Sequence, residues 1–254
     1  MEQEQGRDPN SLHSCTAAVK KWVSLVSASV LISMTITERY SAALAWADQL
    51  HRSQRRKGKT VPYIAHLISV SAMVWEDGGN EDQAIAGLLH DAIEDAGQSH
   101  GSIADRFGAA VANIVCDCTD TTGTPVGGKK EPWLVRKTRY IAALEHKPTD
   151  SLLVTAADKA HNARDMVLDA RKDPAMWSKF NAGLDGSAWY LLRMHQALSR
   201  QLPTSRSVQS LGESIEEILA SEPYRTLTPA GIAAAVWAAG YAERCKQPSA
   251  GSSD

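Results

Sequence analysis

Leu88-Leu89-His90-Asp91-Ala92-Ile93-Glu94-Asp95 is the stretch on which the reading of this chain turns. With Ile85 before it, its apolar residues keep helical spacing, so Ile85, Leu88, Leu89, Ala92 and Ile93 form the buried face of one amphipathic helix. On a helix an adjacent His-Asp pair points its side chains about 100° apart, and both reach one ion lying alongside. Glu94 and Asp95 each follow one turn beyond, at i+4 from His90 and Asp91. Acidic groups near a helix C-terminus oppose its dipole, and a bound cation would offset them. The plainer alternative is a polar helix end with a histidine cap.

Outward from this stretch the helical period continues. Asn80 with Gln83 three residues on reads as the N-cap of the same helix. Gly78-Gly79 ends a preceding helix that carries Ile64, Leu67, Ile68, Ser71, Val74 and Trp75, and a helix before that carries Tyr40, Ala43, Leu44 and Ala47. Further helices are expected over 103–119, 134–144, 152–168, 177–198, 211–219 and 229–244. Asp120 to Pro132 is rich in Gly, Thr, Pro and Lys and reads as a mobile loop. Strand alternation and internal repeats are absent, so the fold class expected is all-α.

Three other clusters carry chemistry. In Pro62-Tyr63-Ile64-Ala65-His66, a histidine sits at a helix start, where a capping role is the ordinary meaning. In Ala157-Asp158-Lys159-Ala160-His161-Asn162, an acid is set among Leu152, Leu153, Val154, Ala156 and Ala157, with Asn162 one turn later on its face. Its ordinary meaning is a core-edge salt bridge to Lys159 or Arg164. His51-Arg52-Ser53-Gln54-Arg55-Arg56-Lys57, with Lys59 following, is either a solvated charge run or an anion site, since guanidinium forks suit phosphate oxygens.

Length and composition bound the function. The 254 residues allow one large domain with extensions, 43% are hydrophobic, and 27 basic against 29 acidic residues give a formal charge of −2. That balance offers no whole-protein attraction to nucleic acid or anionic membrane, so phosphate binding has to be local. The four cysteines, 15, 116, 118 and 245, lack metal or disulfide spacing and read as free thiols in a reducing cytoplasm. Trp22 to Met34 falls short of the roughly 18 apolar residues that span a bilayer, and no clear cleavage site follows it. Thr35 and Glu38 form a capping-box pattern just after Met34, so residues 1–34 read as an extension before the catalytic part.

Taken together, H-R-S-Q-R-R-K at 51–57, P-Y-I-A-H at 62–66, L-L-H-D-A-I-E-D at 88–95 and A-D-K-A-H-N at 157–162 resemble the HD superfamily of metal-dependent phosphohydrolases. The closer likeness is to the stand-alone small alarmone hydrolases and the hydrolase domain of the Rel/Spo stringent-response enzymes. It spans about residues 37–200. The resemblance implies an HD-domain helical bundle over 35–202, followed by a C-terminal helical annex and tail over 203–254. It implies that His66, His90, Asp91 and Asp158 bind one Mn²⁺, that Glu94 and Asp95 activate or orient the attacking water, and that Arg56, Lys57 and Asn162 hold the nucleotide. The reaction implied is removal of the 3′-pyrophosphate of ppGpp or pppGpp. The family often has Lys where Thr155 stands, which leaves base preference open. No synthetase or regulatory region is expected after residue 200, so the implied enzyme only degrades.

The alternatives are an HD phosphohydrolase acting on an adenosine alarmone such as ppApp or another nucleotide phosphate ester, and a non-catalytic nucleotide-binding protein. A small-molecule nucleotide is the expected partner, with no nucleic acid and no membrane. A homo-oligomer is left open.

Overall fold

The computed structural model describes residues 36–120 and 131–246, and from Glu38 onward the chain forms one unit. The described residues fold into helices without a strand. These are α1 (Glu38–His51), α2 (Ile64–Glu76), α3 (Glu81–Leu89), α4 (Ala92–Ala96), α5 (His100–Phe107), α6 (Ala109–Cys118), α7 (Trp133–Ala143), α8 (Thr149–Lys172), α9 (Gly183–Gln201), α10 (Arg206–Ala220), α11 (Glu222–Leu227), α12 (Ala234–Ala239) and α13 (Tyr241–Arg244). Short 3₁₀ turns cover Leu144–His146 and Pro174–Lys179. The expected all-α class is what the chain adopts. None of the described helices is long and apolar enough to cross a membrane.

The long helix α8 lies between two cores. Leu153, Val154 and Ala157 pack with α1, α2, α3, α5 and α6, while Leu152, Ala156, Ala160, Ala163 and Val167 pack with α7, α9 and α10. Both flanks of α8 are therefore apolar, and a polar side chain along it has to face one of the ends or grooves where the two cores part. Leu67, Ile85, Leu88 and Leu89 are fully buried in the first core. Each contributes about 1.5–3 kcal/mol of transfer free energy.

Helices α2 and α3 approach closely where Gly87 meets Ser71: a Cβ on Gly87 would lie 3.0 Å from the Ser71 Cα. The Ser71 hydroxyl donates to the Ala84 carbonyl at 2.8 Å, so the small side chain also satisfies its own polar atom in the core. This contact brings His66 of α2 beside His90, just past the end of α3, with ring centroids 5.1 Å apart.

Helix ends differ from the sequence expectation in several places. The Asn80–Gln83 cap forms as a reciprocal capping box. The helix through His90 does not run on to Asp95. It ends at Leu89, Asp91 takes φ −100° and ψ 3°, and α4 starts afresh at Ala92. The expected 103–119 helix is two, split at Gly108 with φ 92°. The 177–198 helix is likewise broken, α9 starting only at Gly183, whose φ is 59°. The expected 211–219 helix starts earlier, at Arg206, because Asp77 at the end of α2 caps it. The Asp77 carboxylate accepts from the Arg206 amide (2.6 Å), the Ser207 amide (3.0 Å) and the Ser205 hydroxyl (2.6 Å). Beyond it the expected 229–244 helix is the separate α12 and α13. The N-terminal extension with Thr35, residues 121–130 of the expected loop, and the tail after Lys246 lie outside the described residues.

Candidate metal centre

Four segments converge where the two cores part. His66 comes from the first turn of α2, His90 and Asp91 from the break between α3 and α4, and Asp158 from the middle of α8. Ligand atoms of His66, His90 and Asp91 all lie within 4.8 Å of one another. The His90 Nε2 is 3.0 Å from Asp91 Oδ2. Asp158 joins through Oδ1, 3.3 Å from His66 Nε2 and 3.6 Å from His90 Nε2. The break at Asp91 has a direct consequence here, since adjacent residues of an unbroken helix diverge by about 100°. It also corrects the dipole argument: Glu94 and Asp95 stand in the first turn of α4, where acidic side chains are favoured.

Each imidazole is oriented from behind. His90 Nδ1 lies 2.9 Å from the Gly87 carbonyl, which can only accept, so Nδ1 carries a proton. Burial opposes a second proton, but Asp91 and Asp158 outweigh it and raise the His90 pKa, and a bound cation would take that proton's place on Nε2. His66 Nδ1 lies 2.9 Å from His161 Nδ1. Burial, with the neighbouring His66 and Arg56, pushes the His161 pKa down to about 4, so His161 is neutral and able to accept a proton from His66 Nδ1. The Tyr63 hydroxyl donates to Asp91 Oδ2 at 2.6 Å, and burial together with Asp91 raises its pKa, keeping it a donor. Asp158 receives the Lys159 ammonium and the Asn162 amide. Burial opposes its charge, but Lys159 and the histidines win and hold its carboxyl well below the usual carboxylate range.

His66 Nε2 and His90 Nε2 are buried without a hydrogen-bond partner among the described residues. Two unpartnered imidazole nitrogens facing two ionised carboxylates are a donor set for a divalent cation. Mixed nitrogen and oxygen donors with room for further ligands fit a six-coordinate ion better than a closed structural zinc site.

The remaining expected residues line or border a cavity of about 610 Å³ in front of these ligands. Asp95 lines it and accepts from the Gln54 amide at 2.8 Å, while Glu94 beside it is half-buried. Arg56 faces inward, donating to Asn162 Oδ1 (2.7 Å) and Asp165 Oδ2 (3.0 Å). Asn162 thus links Arg56 to Asp158. Lys57 lies over the Phe180 ring, 5.3 Å from its centroid. The basic loop that carries Arg56 and Lys57 is closed on itself by the Arg56 amide to Val61 carbonyl bond and the Tyr63 amide to Gln54 carbonyl bond.

Sequence reasoning gave no role to His161 and Tyr63, and held Gln54 and Lys59 only as members of the basic run. One signal was present. Asp158, His161, Asn162, Asp165 and Asp169 fall at i, i+3, i+4, i+7 and i+11, a polar stripe on one face of α8. Lys59 pairs with two of these, Asp165 at 2.6 Å and Asp169 at 2.7 Å, and so pins the basic loop to α8.

Comparison with known proteins places the same residues within a wider similarity. A family model described as the HD domain matches residues 43–180. The guanosine-3′,5′-bis(diphosphate) 3′-pyrophosphohydrolase MESH1 of Xenopus tropicalis is 35% identical over 140 residues, which cover 54% of this chain and 73% of that protein. The human protein of the same name is 34% identical over 140 residues, with the same coverage. A solved structure, described as a metazoan ortholog of SpoT that hydrolyzes ppGpp and plays a role in starvation responses, superposes with a TM-score of 0.53 at 23% identity. It covers 73% of this chain and 96% of its own, and it shares the fold.

Proposed function

The chain belongs to the HD domain family, and from that premise we propose that it removes the 3′-pyrophosphate of guanosine alarmones, converting ppGpp and pppGpp to GDP and GTP plus pyrophosphate, with Mn²⁺ as its cation. One observation carries this reading: two unpartnered buried imidazole nitrogens and two carboxylates meet at one side of a cationic cavity large enough for a nucleotide.

His66, His90, Asp91 and Asp158 would hold the ion. A divalent cation there supplies Lewis acidity toward phosphoryl oxygens and makes water a stronger nucleophile. The chain's own groups do the rest. Asp95, held by Gln54, takes the proton from the attacking water, and Glu94 orients that water. Water adds to phosphorus as the bond to the ribose 3′ oxygen breaks, and that oxygen takes up the proton that Asp95 received. Arg56 and Lys57 bind phosphate oxygens, and Asn162 keeps Arg56 in register with Asp158. The MESH1 relatives support the guanosine substrate.

The test is release of pyrophosphate from ppGpp by the purified protein with Mn²⁺, with ppApp alongside. Release from ppGpp supports the reading. Release from ppApp alone, or from neither, overturns it.

A further inference from the structure

The cavity in front of the ligands holds more positive charge than its own acids neutralise. Among its cations, Arg56 and Lys59 bond Asp165, Lys137 bonds Asp120 and Lys159 bonds Asp158. Arg55, Lys57 and Lys179 line the same cavity without a carboxylate partner among the described residues, and Arg55 donates to the Arg52 and Gln54 carbonyls. The two lysines have no such carbonyl contact. Both are exposed, and both are held in place by apolar or backbone contacts. The Lys57 ammonium lies over Phe180, while the Lys179 stem crosses Gly58 so closely that a Cβ there would lie 2.9 Å from its Cδ. Gly58 has φ 71°, so the backbone at this crossing suits glycine twice over, by conformation and by space. The interlocked pairs 57–58 and 179–180 join the basic loop to the 3₁₀ turn Pro174–Lys179 and set two ammonium groups on one rim.

We propose that Lys57 and Lys179 form a subsite for a second phosphate chain on the substrate, the one at the ribose 5′ position. This rests on the hydrolase reading above, because that reaction consumes phosphates only at the 3′ position. A substrate with phosphates at both ends needs cations away from the metal ligands. Of the three lining cations without a carboxylate, Arg55 is turned onto the Arg52 and Gln54 carbonyls, which leaves the Lys57 and Lys179 ammonium groups for that role. A charge-assisted contact of each ammonium with a phosphate oxygen makes the enzyme prefer nucleotides that carry the 5′ chain over those that lack it. Lys179 lies outside the four strings that carry the family resemblance, though inside the matched region 43–180.

The test compares ppGpp with guanosine 3′-diphosphate as substrates for wild type, Lys179→Ala and Lys179→Arg, and GDP with guanosine as ligands by calorimetry. The preference in kcat/KM for ppGpp shrinks about 10- to 100-fold in Lys179→Ala and is largely kept in Lys179→Arg. GDP binding weakens by a similar factor while guanosine binding holds. An unchanged preference, or equal loss for both members of each pair, overturns the subsite. Wild-type protein that hydrolyses neither substrate overturns the hydrolase reading instead, and GDP against guanosine binding then decides the subsite alone.

Discussion

His66 and His161 meet Nδ1 to Nδ1 at 2.9 Å, and one proton serves the contact. His66 is 1% exposed and turns its other nitrogen toward Asp158; with a cation held between that nitrogen and the carboxylate, the proton would sit on Nδ1 and His161 would accept it. A neutral imidazole thus does what a carboxylate or carbonyl usually does behind a metal-binding histidine.

Replacing His161 by Phe should leave the fold intact and weaken Mn²⁺ binding about 10- to 100-fold, because His66 loses the group that fixes its ring and tautomer. Calorimetric titration of the metal-free protein checks this. Mn²⁺ affinity equal to wild type would show that His66 needs no such support.

Asp158→Ala should abolish the rise in melting temperature that Mn²⁺ gives the wild type, since a ligand stabilises only through the state it binds. Activity should go with it. Retained Mn²⁺ and turnover in this variant would remove Asp158 from the ligand set.

Asp95→Asn and Glu94→Gln should keep bound Mn²⁺ and lose about 10²- to 10⁴-fold in kcat, the usual range for a lost proton acceptor. Arg56→Ala should raise KM more than it lowers kcat, as its phosphate contact is made before the transition state too. Metal content and steady-state kinetics of the three variants separate these outcomes.

Asp120 is 7% exposed, and it bonds Arg136 and Lys137. Burial alone would raise its pKa, but Lys137 and Arg136 outweigh that and hold the carboxyl below its ordinary value. A folded pKa below the unfolded one gives stability that is complete above the unfolded carboxylate range and is lost as pH falls through the folded value. Asp120→Asn should therefore cost about 3 kcal/mol near neutral pH, with the difference from wild type closing only in strong acid. Urea midpoints across pH measure it.

Asp77→Ala should cost about 1–2 kcal/mol by uncapping α10, and protection of the α10 amides from hydrogen exchange should fall before that of α3. Uniform loss across both helices would mean that α10 is not a separate layer of stability.

The sequence by itself determined the helical class and the residue types of the candidate metal site. Both are local properties: apolar residues at helical spacing bury one face, and His90-Asp91 stands out within one short string, while His66 and Asp158 joined the expected ligand set only through the family resemblance. The Asn80–Gln83 cap was legible for the same reason, being a contact over three residues. Only the tertiary structure decided how those groups are aimed. The interruption at Asp91 has no Gly or Pro to mark it. The partnership of His66 with His161 joins residues 95 positions apart, Arg56 reaches Asn162 across 106, and Lys179 meets Gly58 through a 3₁₀ turn read as helix. Such pairings depend on how α2, the basic loop and the turn at 174–179 pack around α8. Their energy comes from excluding water between segments that are far apart in the chain, and a local pattern does not encode that.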